Sequence, residues 1–227
     1  MNEFLNIDCM IGMAEYEDNH FDLAIVDPPY GIGKFWLKQT HTKHYGVKEW
    51  NEKHPTKGYF KELLRVSKNQ IIFGANYYCH YLPITNSWIV WRKGNDVEKT
   101  NTSECELAWT SFNIPLREIF IQWSGGRKGN ETGIKSIHPC QRPISLYKWL
   151  LTKYAKQGDL ILDTHVGSAS SLIACEDMGF EYVGFELDED YYKAAQKRLS
   201  EHRKQIKLFP TPNHQPPISS ERERLAI

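Results

Sequence analysis

A three-layer α/β domain, with helices on both faces of a mostly parallel sheet, is the architecture this chain predicts, and three stretches carry that reading. Residues 21–27 (FDLAIVD) form a short, nearly continuous apolar run, the pattern of a strand buried on both faces. Residues 160–199 alternate strand and helix twice (Leu160–Asp163, Ser170–Met178, Tyr182–Phe185, Glu189–Leu199), a βαβα unit expected to make a right-handed parallel crossover. Helical spacing over Lys57 to Ser67 leads into a further β-rich run, Gln70 to Phe73, which stops at Gly74.

The remaining elements follow in order. Leu5 to Ile7 suggests a short first strand. Residues 31–57 are polar, with Trp36, Tyr45 and Trp50 interleaved among lysines, and read as a long insertion. Ser87 to Trp91, Cys105 to Trp109 and Ile119 to Trp123 are short β-type runs, and Ser124 to Ile134 is a Gly-rich loop. Pro143 stands where a helix over Ile144 to Tyr154 begins. Beyond Leu199 the chain turns polar and, from about Pro210, Pro-rich, so the domain is expected to span 1–204 and a flexible tail 205–227.

Composition places the chain among ordinary globular proteins, with 41% hydrophobic and 25% charged residues. No stretch has the length of a membrane span and the acidic N-terminus lacks a signal-peptide pattern, so a cytoplasmic location is expected. The five cysteines (Cys9, Cys79, Cys105, Cys140, Cys175) are scattered singly and read as reduced thiols. His41 with His44, and Cys79 with His80, lack a second ligand pair, so no metal is expected. The zero net charge hides a partition. Residues 1–30 carry seven acids and no Lys or Arg, and residues 159–190 carry nine acids and none. Residues 31–70 carry nine Lys or Arg against three acids, and the last 37 residues eight against three. A polyanionic partner therefore fits particular segments despite the neutral total.

Chemistry concentrates at two strand ends. Asp27-Pro28-Pro29-Tyr30 follows the strand Phe21–Val26, at the sheet edge where open α/β folds bind ligands. The prolines stiffen the loop, which offers a carboxylate, backbone carbonyls and an aromatic plate, a set suited to a flat ring bearing an amino group. Asp163 to Ser170 (DTHVGSAS) follows another strand and opens a helix, its small residues letting backbone approach a ligand, and Glu186 ends the next strand, where an acid binds a ribose hydroxyl pair. The acid-rich surroundings and the missing GxGxxG argue against a phosphate-bearing dinucleotide and for a cationic adenosine ligand; S-adenosylmethionine fits.

These residues also carry a resemblance. DPPY at 27–30, HPCQRP at 138–143, DTHVGSAS at 163–170 and FELD at 185–188 resemble, in order, the motifs of the permuted, beta-class-like DNA amino-methyltransferases that modify adenine N6 or cytosine N4. The resemblance covers residues 4–200, departing at Cys140, Arg142, Thr164, His165 and Ala169. It implies a Rossmann-like methyltransferase fold with a seven-stranded, mostly parallel sheet, one antiparallel strand and circularly permuted motif order. It further implies S-adenosylmethionine-dependent methylation of a flipped adenine in DNA, of the kind found in restriction–modification systems. Asp27, Pro28, Pro29 and Tyr30 would be catalytic; Asp8, Cys9, His138, Arg142, Asp163, His165, Gly167, Ser168 and Glu186 would bind cofactor. Amino-cytosine is the second reading, and a non-catalytic DNA-binding module retaining the fold the third.

For DNA contact the candidates are the insertions 31–57 and 113–137, with Lys34, Lys38, Lys43, Arg127, Lys128 and Lys135 facing phosphates. Residues 113–137 are too few for an independent recognition core, which implies a short or loosely selected target. Gln205-Ile206-Lys207-Leu208-Phe209 is similar to the QxxLF peptides that dock on bacterial sliding clamps, which makes the clamp a candidate partner through a flexible segment.

Overall fold

The computed structural model describes residues 2–32, 54–94, 103–124 and 127–208. Its elements in chain order are β1 (Asn2–Leu5), α1 (Cys9–Ala14), β2 (Phe21–Val26), α2 (Lys57–Val66), β3 (Ser67–Phe73), β4 (Trp88–Arg92), β5 (Cys105–Thr110), β6 (Arg117–Phe120), α3 (Ile144–Tyr154), β7 (Leu160–Asp163), α4 (Ser170–Met178), β8 (Glu181–Phe185) and α5 (Glu189–Leu208). The strands form one sheet in the order β1-β8-β7-β2-β3-β5-β4-β6. Eight strands thus stand, among the described residues, where seven were expected. One strand, β5, runs antiparallel to both its neighbours, while every other pairing is parallel.

The alternation along β2 explains the three layers. Leu23 and Ile25 point into one apolar cluster, shared with Leu146 and Leu150 of α3, Leu172 of α4 and Leu199 of α5. Ala24 and Val26 point into the other, with Phe60 and Leu63 of α2 and Met13 of α1. Side chains alternate across a strand with period two, so a run apolar at every position must be covered on both sides. The centre of the sheet sets up the site. From β2 the chain crosses to β3 on one side, and from β7 to β8 on the other, while β2 and β7 pair directly (Leu23 with Ile161, Ala24 with Leu162). The connections diverge there, and a crevice opens above the carboxyl ends of these two strands.

Several boundaries differ from expectation. The first strand ends at Leu5 instead of starting there, because Asp8 caps α1, its carboxylate accepting the Met10 N–H at 2.7 Å. The run at Ile119 to Trp123 leaves the sheet after Phe120, where the Trp123 indole turns to donate to the Gln141 carbonyl at 2.8 Å. Helix α5 continues past Leu199 to Leu208, overrunning both the expected end and the 204/205 boundary. Its added turns are tied to α4: His202 bonds Asp177 at 2.6 Å, and Arg203 Nε donates to Glu176 at 2.8 Å. Gln205 to Leu208 therefore lie on helical backbone instead of in a flexible linker, and Phe209 lies outside the described residues. Most of the 31–57 insertion, with Lys34, Lys38 and Lys43, lies outside them too.

Candidate active site

Where β2 ends, Asp27 projects over the crevice and meets a buried guanidinium. Arg142 Nε donates to Asp27 Oδ2 at 2.7 Å and Nη2 to Oδ1 at 2.6 Å, a two-pronged fork that fixes the carboxylate plane. The Tyr30 hydroxyl donates to Oδ1 at 2.7 Å. The guanidinium itself lies over the Phe73 ring at 4.3 Å and near that of Trp91 at 5.4 Å. Arg142, expected among the cofactor-binding residues, places its donors on the chain's own acids, and both it and Gln141 are buried.

A second carboxylate shares this guanidinium. Being antiparallel, β5 brings its first residues to the edge where its neighbours end; Phe73, the last residue of β3, pairs with Ala108, so Glu106 reaches past it. Glu106 Oε2 accepts from Arg142 Nη1 and lies 3.3 Å from the Tyr30 hydroxyl, while Oε1 accepts from Lys93 at 3.0 Å. Burial by itself would raise the Glu106 pKa, but Arg142 and Lys93 overcome it and hold the group down at about 2. Two acids and two cations thus form one closed cluster. The Tyr30 ring stacks on Tyr77, centroids 5.1 Å apart and planes 21° from parallel. It also presses on Gly74, where a Cβ would fall 2.0 Å from the ring and φ is +67°. Only glycine suits that position.

The β7 side has a different character. Asp163, 3% exposed, accepts the His165 N–H at 3.0 Å and the Ser171 hydroxyl at 2.5 Å. Burial outweighs those bonds and pushes its pKa up to about 7. Glu186, at the end of β8, accepts the N–H of Gly167 at 2.8 Å and of Asp188 at 2.9 Å, and burial raises its pKa as well. Gly167 (φ +54°) and Ala169 (φ +62°) both take left-handed backbone, bending the loop tightly between strand and helix. His165 is half-buried and held neutral, its enclosure lowering its pKa to about 4, with Nδ1 2.9 Å from the Thr164 hydroxyl. Asp8 and Cys9 stand close by, since Asn6 donates to the Glu186 carbonyl at 2.7 Å, and burial with the Asp8 charge pushes the Cys9 thiol up to about 12.

Residues 138–142 connect the two sides. The His138 ring packs against Gly167, 3.4 Å from where a Cβ would sit, and against the Tyr191 ring at 4.4 Å; Arg142, four residues on, grips Asp27. A largely enclosed ion pair supports the β7 side from behind. Arg198 of α5 donates to the Ser168 carbonyl at 2.7 Å, the Ser170 hydroxyl at 2.9 Å and Glu131 at 3.3 Å, and Glu131 also accepts the Ile144 N–H at 2.7 Å, capping α3. Of the expected DNA contacts, Arg127 and Lys135 are exposed. Lys128 is engaged internally, donating to the Ser136 hydroxyl at 2.5 Å and lying 5.5 Å over Trp123. Glu106, Lys93, Tyr77, Glu131 and Arg198 were not anticipated. An acid inside a β-run, as in Cys105–Trp109, was the one available signal, and it meant nothing until the strand's direction was known.

Comparison with known proteins follows this geometry. Residues 80–197 match the family model described as DNA methylase. The chain is 24% identical over 230 residues to the type II methyltransferase M.HpaI of Haemophilus parainfluenzae, which spans 82% of this chain and 70% of that protein. It is 25% identical over 265 residues to M.HinfI of Haemophilus influenzae, spanning 94% and 72%. The solved M1.HpyAVI–SAM complex aligns with a TM-score of 0.56 at 18% identity, covering 87% of this chain and 100% of that one. The cytosine-N4-specific PvuII DNA methyltransferase aligns at 0.57 and 15%, covering 91% and 93%. These structures share the fold, and because the family match takes in more than half of the sequence, the chain belongs to the DNA methylase family.

Proposed function

We propose that this protein transfers the methyl group of S-adenosylmethionine to the exocyclic amino nitrogen of an adenine flipped out of DNA. Family membership supports DNA methylation, and the observation that carries the finer reading is the fixed Asp27 carboxylate beside the Tyr30 ring. The β7 side fits the cofactor: enclosed acids without a Lys or Arg partner among the described residues, and a tight left-handed turn between strand and helix. Asp8, Asp163, Gly167, Ser168 and Glu186 would hold it, with His138 and His165 lining the approach. When bound, S-adenosylmethionine supplies an electrophilic methyl group carried on a sulfonium.

The chain's own work is to make a poor nucleophile competent. An aromatic amino group delocalises its lone pair into the ring, and hydrogen bonds accepted from its N–H groups favour a pyramidal nitrogen with the lone pair free. A carboxylate offers about four acceptor positions. Arg142 and Tyr30 take three at Asp27, leaving one on Oδ2 for the amino group among the described residues. The Pro28 carbonyl is the second acceptor. Both oppose the positive charge that develops on nitrogen, an effect that costs no reorganisation because the carboxylate is already clamped. The target atom is unreachable inside a duplex, so the base is extruded and held on the Tyr30–Tyr77 stack.

Nucleoside mass spectrometry of DNA from expressing cells tests the reading. N6-methyladenine is expected; N4-methylcytosine in its place would reassign the base, and no modified base would remove the activity.

A further inference from the structure

Glu106 belongs to no motif of the chain, and its placement poses an electrostatic problem with one solution. If Asp27 is the acceptor that opposes a nitrogen becoming cationic, a guanidinium forked onto it works against the reaction. Arg142 cancels the very charge that Asp27 is to supply, and Lys93 adds a second positive charge nearby. Glu106 touches both cations: Oε2 accepts from Arg142 Nη1, and Oε1 accepts from Lys93 at 3.0 Å. The pair is largely enclosed, with side-chain exposures of 14% for Lys93 and 21% for Glu106, so these charges are poorly screened.

We infer that Glu106 is a positioning residue that neutralises Arg142 and Lys93, so that Arg142 can fix the orientation of Asp27 without extinguishing its negative potential at the target nitrogen. The inference rests on the proposed reading of Asp27 as the amino-group acceptor. Glu106 acts through Arg142 and does not touch the base. Rigid placement of a catalytic acid by a guanidinium is common, and its electrostatic cost is repaired here by a second acid drawn from an antiparallel strand. That strand's direction is what brings Glu106 to the site.

Charge and shape are separable by substitution. Glu106→Gln keeps an acceptor for Arg142 and changes the cluster from neutral to +1. The expected result is a fall in kcat on the order of 10- to 100-fold, with the KM for S-adenosylmethionine unchanged. Adding Lys93→Met to Glu106→Gln returns the cluster to neutrality, and kcat should recover most of the loss; a merely structural Glu106 predicts that the double variant is as poor as the single or worse. Lys93→Met alone leaves the cluster at −1 and should raise kcat about threefold, which carries the test even if Glu106→Gln fails to fold. An unchanged kcat in Glu106→Gln, no recovery in the double variant, or a lowered kcat in Lys93→Met overturns the inference while leaving the methyltransferase reading intact. Absence of methyl transfer by the unaltered protein overturns both.

Discussion

The two halves of the crevice hold their carboxylates in opposite ways. Under β2, Asp27 and Glu106 are matched one for one with Arg142 and Lys93, and the Glu106 pKa sits at about 2. Beside β7, buried Asp163 and half-buried Glu186 have, among the described residues, only backbone N–H groups and a serine hydroxyl as donors, and both are pushed upward. A paired acid is a finished piece of machinery. An uncompensated buried acid is a cost that a cationic ligand relieves. On the proposed reading, the contrast teaches that the half that acts on the base is preorganised, while the half that receives a sulfonium is left short of positive charge.

Removing the central cation should break the contrast most severely. Arg142→Met strands the largely enclosed Asp27 carboxylate and leaves Glu106 with Lys93 alone; losing one partner of a buried ion pair typically costs about 3–5 kcal/mol, so the variant should show a loss of that order in denaturant titration together with abolished transfer. Stability within about 1 kcal/mol of the unaltered protein would mean that the cluster is solvated.

The two sides should also answer pH with opposite sign. Asp163 is raised on folding, from 3.8 to about 7. Between those values the folded protein holds a proton that the unfolded chain has released, so stability falls as pH rises through that window and is flat above it, by about 4 kcal/mol at most. Asp163→Asn should flatten the decline between pH 4 and 7 in thermal melts. Glu106 is lowered, so its contribution is complete above its ordinary value of 4.5 and is lost only as pH falls toward 2. An identical pH profile for Asp163→Asn and the parent would remove the distinction between the halves.

A smaller effect sharpens it. Arg198 holds the Ser168 carbonyl, and among the described residues its hydrogen bonds go to Ser168, Ser170 and Glu131, none of them under β2. Arg198→Met should therefore raise the KM for S-adenosylmethionine about tenfold and leave kcat near the parent value, as expected for loss of uniform binding. A kcat defect with unchanged KM would place its influence on the wrong side.

How much of this was legible in the sequence follows the same divide. The elements of residues 144–185 were readable almost to the residue, because apolar periodicity and the glycine turn are local signals; Asp27, Asp163 and Glu186 stood at strand ends for the same reason. Glu106, Lys93 and Arg198 were not legible. Their positions depend on which strand reverses and where α5 lies, facts of tertiary pairing that no window of sequence contains. Arg142 was found, but its motif specifies only that it meets a carboxylate, so its bonds to Asp27 and Glu106 could not be read from it.

Calorimetric binding of S-adenosylmethionine, measured together with methyl transfer to DNA for Asp27→Ala and Glu186→Ala, tests the division of labour most directly. Asp27→Ala should bind with the parent affinity and lose transfer by about a thousandfold or more, while Glu186→Ala should lose binding first. Retained transfer by Asp27→Ala, or loss of binding in that variant with Glu186→Ala unaffected, would contradict the account.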